Sequence, residues 1–136
     1  MSSPIPAIDT SDRPFGLPPD IVLDIPVPPS VNITRRSHGL GVRRIEEWHR
    51  AADAALMTSG QYRGAKARRP RHTFELQIIL DEQICRLDLD NPMKCAIDYL
   101  RRIELIVNDS PKHLRRLTIE WGVAPQGCRL ILREAA

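Results

Sequence analysis

The chain predicts a small protein of the α/β (α+β) class, a mixed β-sheet with two helices packed on one face in the order β-α-β-α-β-β. Three observations predict it. Several short segments alternate apolar and polar residues with the period of two that a half-buried strand requires. Two longer segments repeat apolar residues at helical spacing. And 136 residues, 42% hydrophobic and 27% charged, suit one soluble core and leave little room for a second.

Residues 1–20 are rich in Pro and Ser and have no apolar period, so they read as a flexible arm ahead of a domain spanning 21–136. Residues 21–27 are apolar and β-branched and read as a first strand, with Pro26 favouring a sheet edge or the strand's end. Residues 30–41 read as a loop broken by Gly39 and Gly41. Residues 42–57 turn helical: Ile45, Trp48, Ala52, Ala55 and Leu56 form an apolar stripe, Arg43, Arg44, Glu46, Glu47 and Arg50 take the other face, and Gly60 is a stop signal. Residues 61–71 read as a basic loop without period. Residues 72–80 read as a second strand, with Phe74, Leu76, Ile78 and Leu80 on one face. Residues 92–104 read as a second helix, with Asp90 or Asn91 as its cap and Pro92 in its first turn. Residues 108–111 form a turn. Residues 114–123 and 128–133 read as two final strands, joined as a hairpin by Ala124-Pro125-Gln126-Gly127.

Composition excludes several classes. No apolar run approaches the roughly 20 residues of a membrane span. The N-terminus lacks the basic start and apolar stretch of a secretory signal. Cys85, Cys95 and Cys128 are odd in number and lack CxxC spacing, which argues against a disulfide framework or a cysteine zinc site and suits a reducing cytoplasm. Cys85 and Cys95 read as small core residues. Aromatics at 4% weaken any model in which bases stack on aromatic platforms, and Trp48 and Trp121 read as core or interface anchors. His38, His49, His72 and His113 show no ligand spacing with one another.

The net charge is only +3, but its distribution is uneven. Residues 35–71 hold ten Lys and Arg against three acids, a surplus of seven, so the rest of the chain is net acidic. A basic lobe beside an acidic one suits a protein that grips a polyanion by its phosphates and brings a divalent cation to one of them. A solvated surface of uneven charge reads equally well. Arg35, Arg36, Arg68, Arg69 and Arg71 are the leading candidates for contact with the phosphate backbone of such a polyanion, because they fall in segments read as loops and Arg engages phosphate bidentately. Lys112, Arg115 and Arg116 could extend the same groove.

The chemically informative segment is Asp88-Leu89-Asp90-Asn91-Pro92-Met93-Lys94, followed by Asp98 and by Asn108-Asp109. On an extended chain two carboxylates two residues apart point the same way and repel unless a cation sits between them. Such pairs are the usual Mg²⁺ ligands, with waters and phosphate oxygens completing the octahedron. Lys94, on the first turn of the following helix, can stabilise charge on a phosphate or a leaving oxygen. The same run also reads as an exposed loop ahead of a capped helix, and Lys94 with Asp98 as an i, i+4 surface ion pair.

These residues resemble the core motif of the RusA-type crossover-junction endodeoxyribonucleases, the Holliday junction resolvases. The likeness rests on Asp88-Leu89-Asp90-Asn91 with Lys94, Asp98, Leu100 and Asp109, and on Pro26-Val27-Pro28-Pro29-Ser30-Val31-Asn32 at the exit of the first strand. The resemblance implies a small homodimer that binds four-way DNA junctions and cuts them symmetrically with Mg²⁺ or Mn²⁺. It implies Asp88, Asp90 and Asp109 as metal-binding catalytic acids, Lys94 as the catalytic lysine, and Asn91 as an orienting group. The chain departs from the pattern at Asn108, where the family often carries a second acid. The other readings are a non-catalytic nucleic-acid-binding protein whose acids only cap a helix, and an inactive dimeric relative that bridges DNA.

Overall fold

The structure is a computed structural model that describes residues 20–29, 38–85, 92–108 and 110–135, with the backbone alone for 38–42. The described elements are β1 (Ile21–Pro26), α1 (His38–Ser59), α2 (Gln61–Arg68), β2 (Phe74–Leu80), α3 (Met93–Arg102), β3 (Leu114–Trp121) and β4 (Gly127–Glu134). The strands form a mixed sheet in the order β1-β4-β2-β3, in which β4 is antiparallel to both β1 and β2 while β3 runs parallel to β2. The class is the expected one.

The alternation read from the sequence builds the core directly. Leu23 and Ile25 of β1, Leu76, Ile78 and Leu80 of β2, and Leu130 and Leu132 of β4 are sealed on one side of the sheet. Trp48, Ala52 and Leu56 of α1, Ala65 of α2, and Ala96, Ile97, Tyr99 and Leu100 of α3 close over them in the same cluster. Pro26 ends β1, which is an edge strand, so its missing N–H costs no ladder bond. Asp20 adds a tie outside the strand: its carboxylate accepts from Arg133 at 2.9 Å.

Two expectations are corrected. The first is the helix count: residues 61–68 form α2, so three helices stand where two were expected. Its sequence, QYRGAKAR, has almost no apolar period, and only Ala65 is buried. Tertiary contacts hold it instead. Gln61 Nε2 donates to Asp24 Oδ2 at 2.9 Å, and Gln61 Oε1 accepts from the Asp24 N–H at 2.8 Å. Tyr62 donates its hydroxyl to the Ile103 carbonyl at 3.0 Å. Gly60, at φ 76°, makes the sharp joint between α1 and α2, so it does end α1 as expected, but a second helix follows at once.

The second correction is the hairpin. β3 and β4 are not neighbours, because β4 inserts between β1 and β2. The chain leaves β3, crosses the end of β2 and enters the middle of the sheet. Asp81, just past β2, pins this crossing: its Oδ2 accepts from Ala124 N–H at 3.2 Å, and its own N–H donates to the Gly127 carbonyl at 3.0 Å. The central place suits β4, whose Ile131 is buried on the face opposite Leu130 and Leu132, as a strand with neighbours on both sides permits.

Candidate functional site

Asp88, Asp90, Asn91 and Asp109 lie outside the described residues, as do Arg35 and Arg36. The groups that flank the acids are described. On one side the chain leaves β2 through a turn at residues 81–85, held by Asp81: Gln83 N–H donates to Asp81 Oδ1 at 2.9 Å and Cys85 N–H to the Asp81 carbonyl at 2.7 Å. Sequence reading did not single out Asp81. The signal was present, since an Asp directly after an alternating strand is suited to bonding the backbone of the turn that follows.

Past residues 86–91 the chain re-enters at Pro92, which is buried and occupies the cap position of α3. Asp90 or Asn91 was expected there. The Pro92 carbonyl accepts from Ala96 N–H at 3.1 Å, so the first helical bond closes on Pro92 without a side-chain cap. Lys94 follows on the first turn with its ammonium exposed, and its Nζ stands 3.2 Å from Asp98 Oδ1. The expected i, i+4 pair therefore forms. At this exposure it adds little to stability.

On the other side, Asn108 Oδ1 accepts from Ser110 N–H at 2.9 Å, the bond of an Asx turn. The Ser110 carbonyl then accepts from His113 and Leu114, both at 2.9 Å, and leads into β3. Asn108 thus spends its side-chain oxygen on the turn. The Asp81 turn follows Leu80, which lies beside Trp121 at the ends of the parallel pair, whereas the Asn108 turn precedes Leu114, which lies beside Phe74 at the starts. The two turns sit about one strand length apart, roughly 20 Å.

The basic segment is rearranged relative to its reading as a loop. Arg68 is the last residue of α2 and Arg69 its C-cap. Arg68 Nε donates to the Gly64 carbonyl at 3.3 Å and Arg69 Nη1 to the Lys66 carbonyl at 2.8 Å, so both cations serve the negative end of the helix. Lys66 pairs with Glu104 at 2.9 Å, which holds that carboxyl below its usual range. Arg71 lies beyond the helix and is exposed.

A polar cluster that the sequence did not reveal links α1 and α3. Tyr99 is fully buried and donates its hydroxyl to Asp53 Oδ1 at 2.6 Å. Burial, reinforced by that bond, pushes the phenol's pKa well up. Trp48 meets the Tyr99 ring edge-on at a centroid distance of 4.9 Å and donates its indole N–H to the Pro26 carbonyl at 2.9 Å. His49 stacks on Tyr99 at 5.7 Å, and burial together with the Arg102 charge lowers its pKa below 6.5. Asp53, Met57, Tyr62, Tyr99 and Ile103 line a groove of about 280 Å³. Trp48 is a core anchor as expected, while Trp121 is 42% exposed.

Among the described residues no three His, Cys, Asp or Glu side chains converge on a point that would hold a metal ion. Among them, too, no helix is long and apolar enough to cross a membrane. No family model matches the chain, and no curated protein matches it.

Proposed function

We propose that this protein is a Mg²⁺- or Mn²⁺-dependent endodeoxyribonuclease that resolves four-way junctions in double-stranded DNA by phosphodiester hydrolysis, acting in the cytoplasm as a homodimer. The observation that carries the reading is the Asp88-Leu89-Asp90-Asn91 run immediately ahead of a helix whose first turn presents an exposed lysine, Lys94. Asp109, the residue after Asn108, supplies a third acid.

The donor set suits the ion. Asp88, Asp90 and Asp109 are hard oxygen donors of the kind that bind Mg²⁺ and leave positions for water and phosphate. When bound, such an ion acidifies a water and polarises the scissile phosphate. Lys94, by exchanging Asp98 for the substrate, stabilises negative charge on the phosphorane or the departing oxygen. Asn91 orients the carboxylates beside it. Arg35, Arg36 and Arg71 take backbone phosphates. Arg68 and Arg69 each spend one described N–H on capping, and a guanidinium carries five.

The test is cleavage of a synthetic four-way junction by the wild type and by Asp90→Asn. The wild type should nick symmetrically in Mg²⁺ or Mn²⁺. Asp90→Asn should lose at least about two orders of magnitude in rate while keeping salt-sensitive binding. A wild type that binds the junction yet never cuts it removes the enzyme. It would leave the second reading, a non-catalytic or inactive dimeric nucleic-acid-binding protein, for which the Lys94–Asp98 pair is a purely structural contact.

A further inference from the structure

The outer edge of β3 carries a pattern that complements itself. β3 ends the sheet, and among the described residues no strand pairs with its outer side. Its apolar side is incompletely covered: Leu117 and Trp121 are 37% and 42% exposed, although their neighbours on β2, Leu76 and Leu80, are at 1% and 0%. An open edge eight residues long with apolar side chains beside it is a template for another strand.

We propose that a second copy of this chain occupies that edge, pairing β3 with β3 antiparallel about a two-fold axis through Thr118, so that the two sheets become continuous. The proposal stands on strand geometry and does not depend on the nuclease reading.

The register follows from the ladder already present. Gly122 N–H donates to the Leu80 carbonyl at 2.9 Å. In a parallel ladder alternate residues bond to the same neighbour, so 116, 118 and 120 also face β2, while 117, 119 and 121 turn their N–H and C=O groups outward. A two-fold axis normal to the sheet must match outward residues with outward residues. Centring it on Thr118 places Leu117 opposite Ile119 of the partner subunit as a hydrogen-bonded pair, twice over. It also places Arg116 opposite Glu120 of the partner subunit, again twice, in the non-hydrogen-bonded positions where side chains stand closest. Leu117 and Ile119 share the apolar side with Leu76 and Ile78, while Arg116, Thr118 and Glu120 line the opposite, polar side with Glu75 and Gln77. Shifting the axis to Leu117 sets Arg116 against Thr118. Shifting it to Ile119 sets Thr118 against Glu120. Only the central register pairs both charges and both apolar residues.

Sedimentation equilibrium of the full chain should give twice 15.4 kDa. Glu120→Arg, which sets Arg against Arg at both positions, should weaken the dimer by about tenfold or more, and the exchange Arg116→Glu with Glu120→Arg should restore it. Thr118→Cys brings two sulfurs together on the axis at a Cα separation of about 4.5 Å, within disulfide range, and should cross-link under mild oxidation. Leu117→Cys and the wild type should not. A monomer, including one whose own residues 1–19 cover the strand, overturns the proposal. So does a dimer that Thr118→Cys fails to cross-link. The readout is mass, so a protein that dimerises without cutting DNA fails only the nuclease reading, and one that cuts as a monomer fails this proposal and the homodimeric part of that reading but not its cleavage chemistry.

Discussion

Asp24 and Arg129 face each other across the β1–β4 ladder and meet at two points, Nε to Oδ1 at 2.7 Å and Nη2 to Oδ2 at 3.1 Å. Both side chains are largely shielded from water, and Gln61 donates a further bond to Asp24 Oδ2. One carboxylate thereby ties β4 and α2 to β1. Removing its cation strands a charge in a poorly solvated place. Arg129→Ala should cost about 3 kcal/mol in a denaturant or thermal melt. Gln61→Ala, which leaves the ion pair intact, should cost about 1 kcal/mol. Equal losses would show that the pair gains no strength from its shielding.

That network also explains why α2 was not legible in the sequence. Its eight residues carry no apolar period, and it is held by Gln61, Tyr62 and Lys66 reaching partners 37 to 41 residues away. No local pattern encodes such contacts. The strand at Phe74–Leu80 was legible because half-burial forces strict alternation on the sequence. α1 was legible from Val42 onward because Trp48, Ala52 and Leu56 must share one face, but its start was not: the helix begins at His38 and runs through Gly39 and Gly41, which read as breakers of a loop. The place of β4 was not, since antiparallel pairing with β1 or with β3 makes the same demand on Cys128, Leu130 and Leu132. Of the candidate site, the position of Lys94 on a helical first turn was readable from Pro92 and the period behind it, and so was its pairing with Asp98. The capping duty of Arg68 and Arg69 was not, because it exists only once α2 does.

Gly127 separates the observed crossing from a simple hairpin. Its φ is 106°, and a Cβ there would meet Val27 Cγ2 at 2.6 Å and Ile84 Cγ2 at 3.0 Å. Both backbone strain and overlap oppose any side chain. Gly127→Ala should destabilise the protein by about 3 kcal/mol, measured by urea unfolding. Gly64→Ala is the contrast: it sits in α2 with only an Arg68 nitrogen at 3.7 Å, and it should be neutral or gain about 0.5–1 kcal/mol.

His49 gives stability a pH dependence. Burial and the Arg102 charge lower its folded pKa, against the opposing pull of Asp53 and Glu46, so the folded state prefers the neutral ring. The unfolded chain then binds the proton more readily than the folded one. Above pH 6.5 both states are neutral at His49 and nothing is lost. As pH falls through 6.5 toward the lower folded value, stability drops. Melting temperatures taken from pH 8 to pH 5 should fall more steeply for the wild type than for His49→Gln. Parallel curves would show that His49 titrates alike in both states.

The thiols should be slow. Burial, with the Asp98 charge behind it, pushes the Cys95 thiol up to about 11, and burial pushes Cys128 higher still. Cys85 is buried. A thiolate is the reactive form, so at pH 8 a disulfide reagent should modify the native protein far more slowly than the urea-unfolded chain, which exposes all three. Fast native labelling of one thiol would contradict the burial. Slow native labelling also gives a clean background for the Thr118→Cys cross-link.

Lys94 and Asp98 supply the sharpest functional contrast. The pair is exposed on both sides, so neither residue contributes much to the fold, and Lys94→Ala or Asp98→Ala should shift the melting midpoint by little. Their effects on cleavage should diverge. If Lys94 stabilises charge in the transition state, Lys94→Ala should cut junction cleavage by about 100-fold or more with binding nearly unchanged. Asp98→Ala releases the ammonium from its partner and should leave the rate equal to or above that of the wild type. Losses of similar size from both substitutions would mean that the lysine serves the helix and not the phosphate, and would move the catalytic charge elsewhere on the protein.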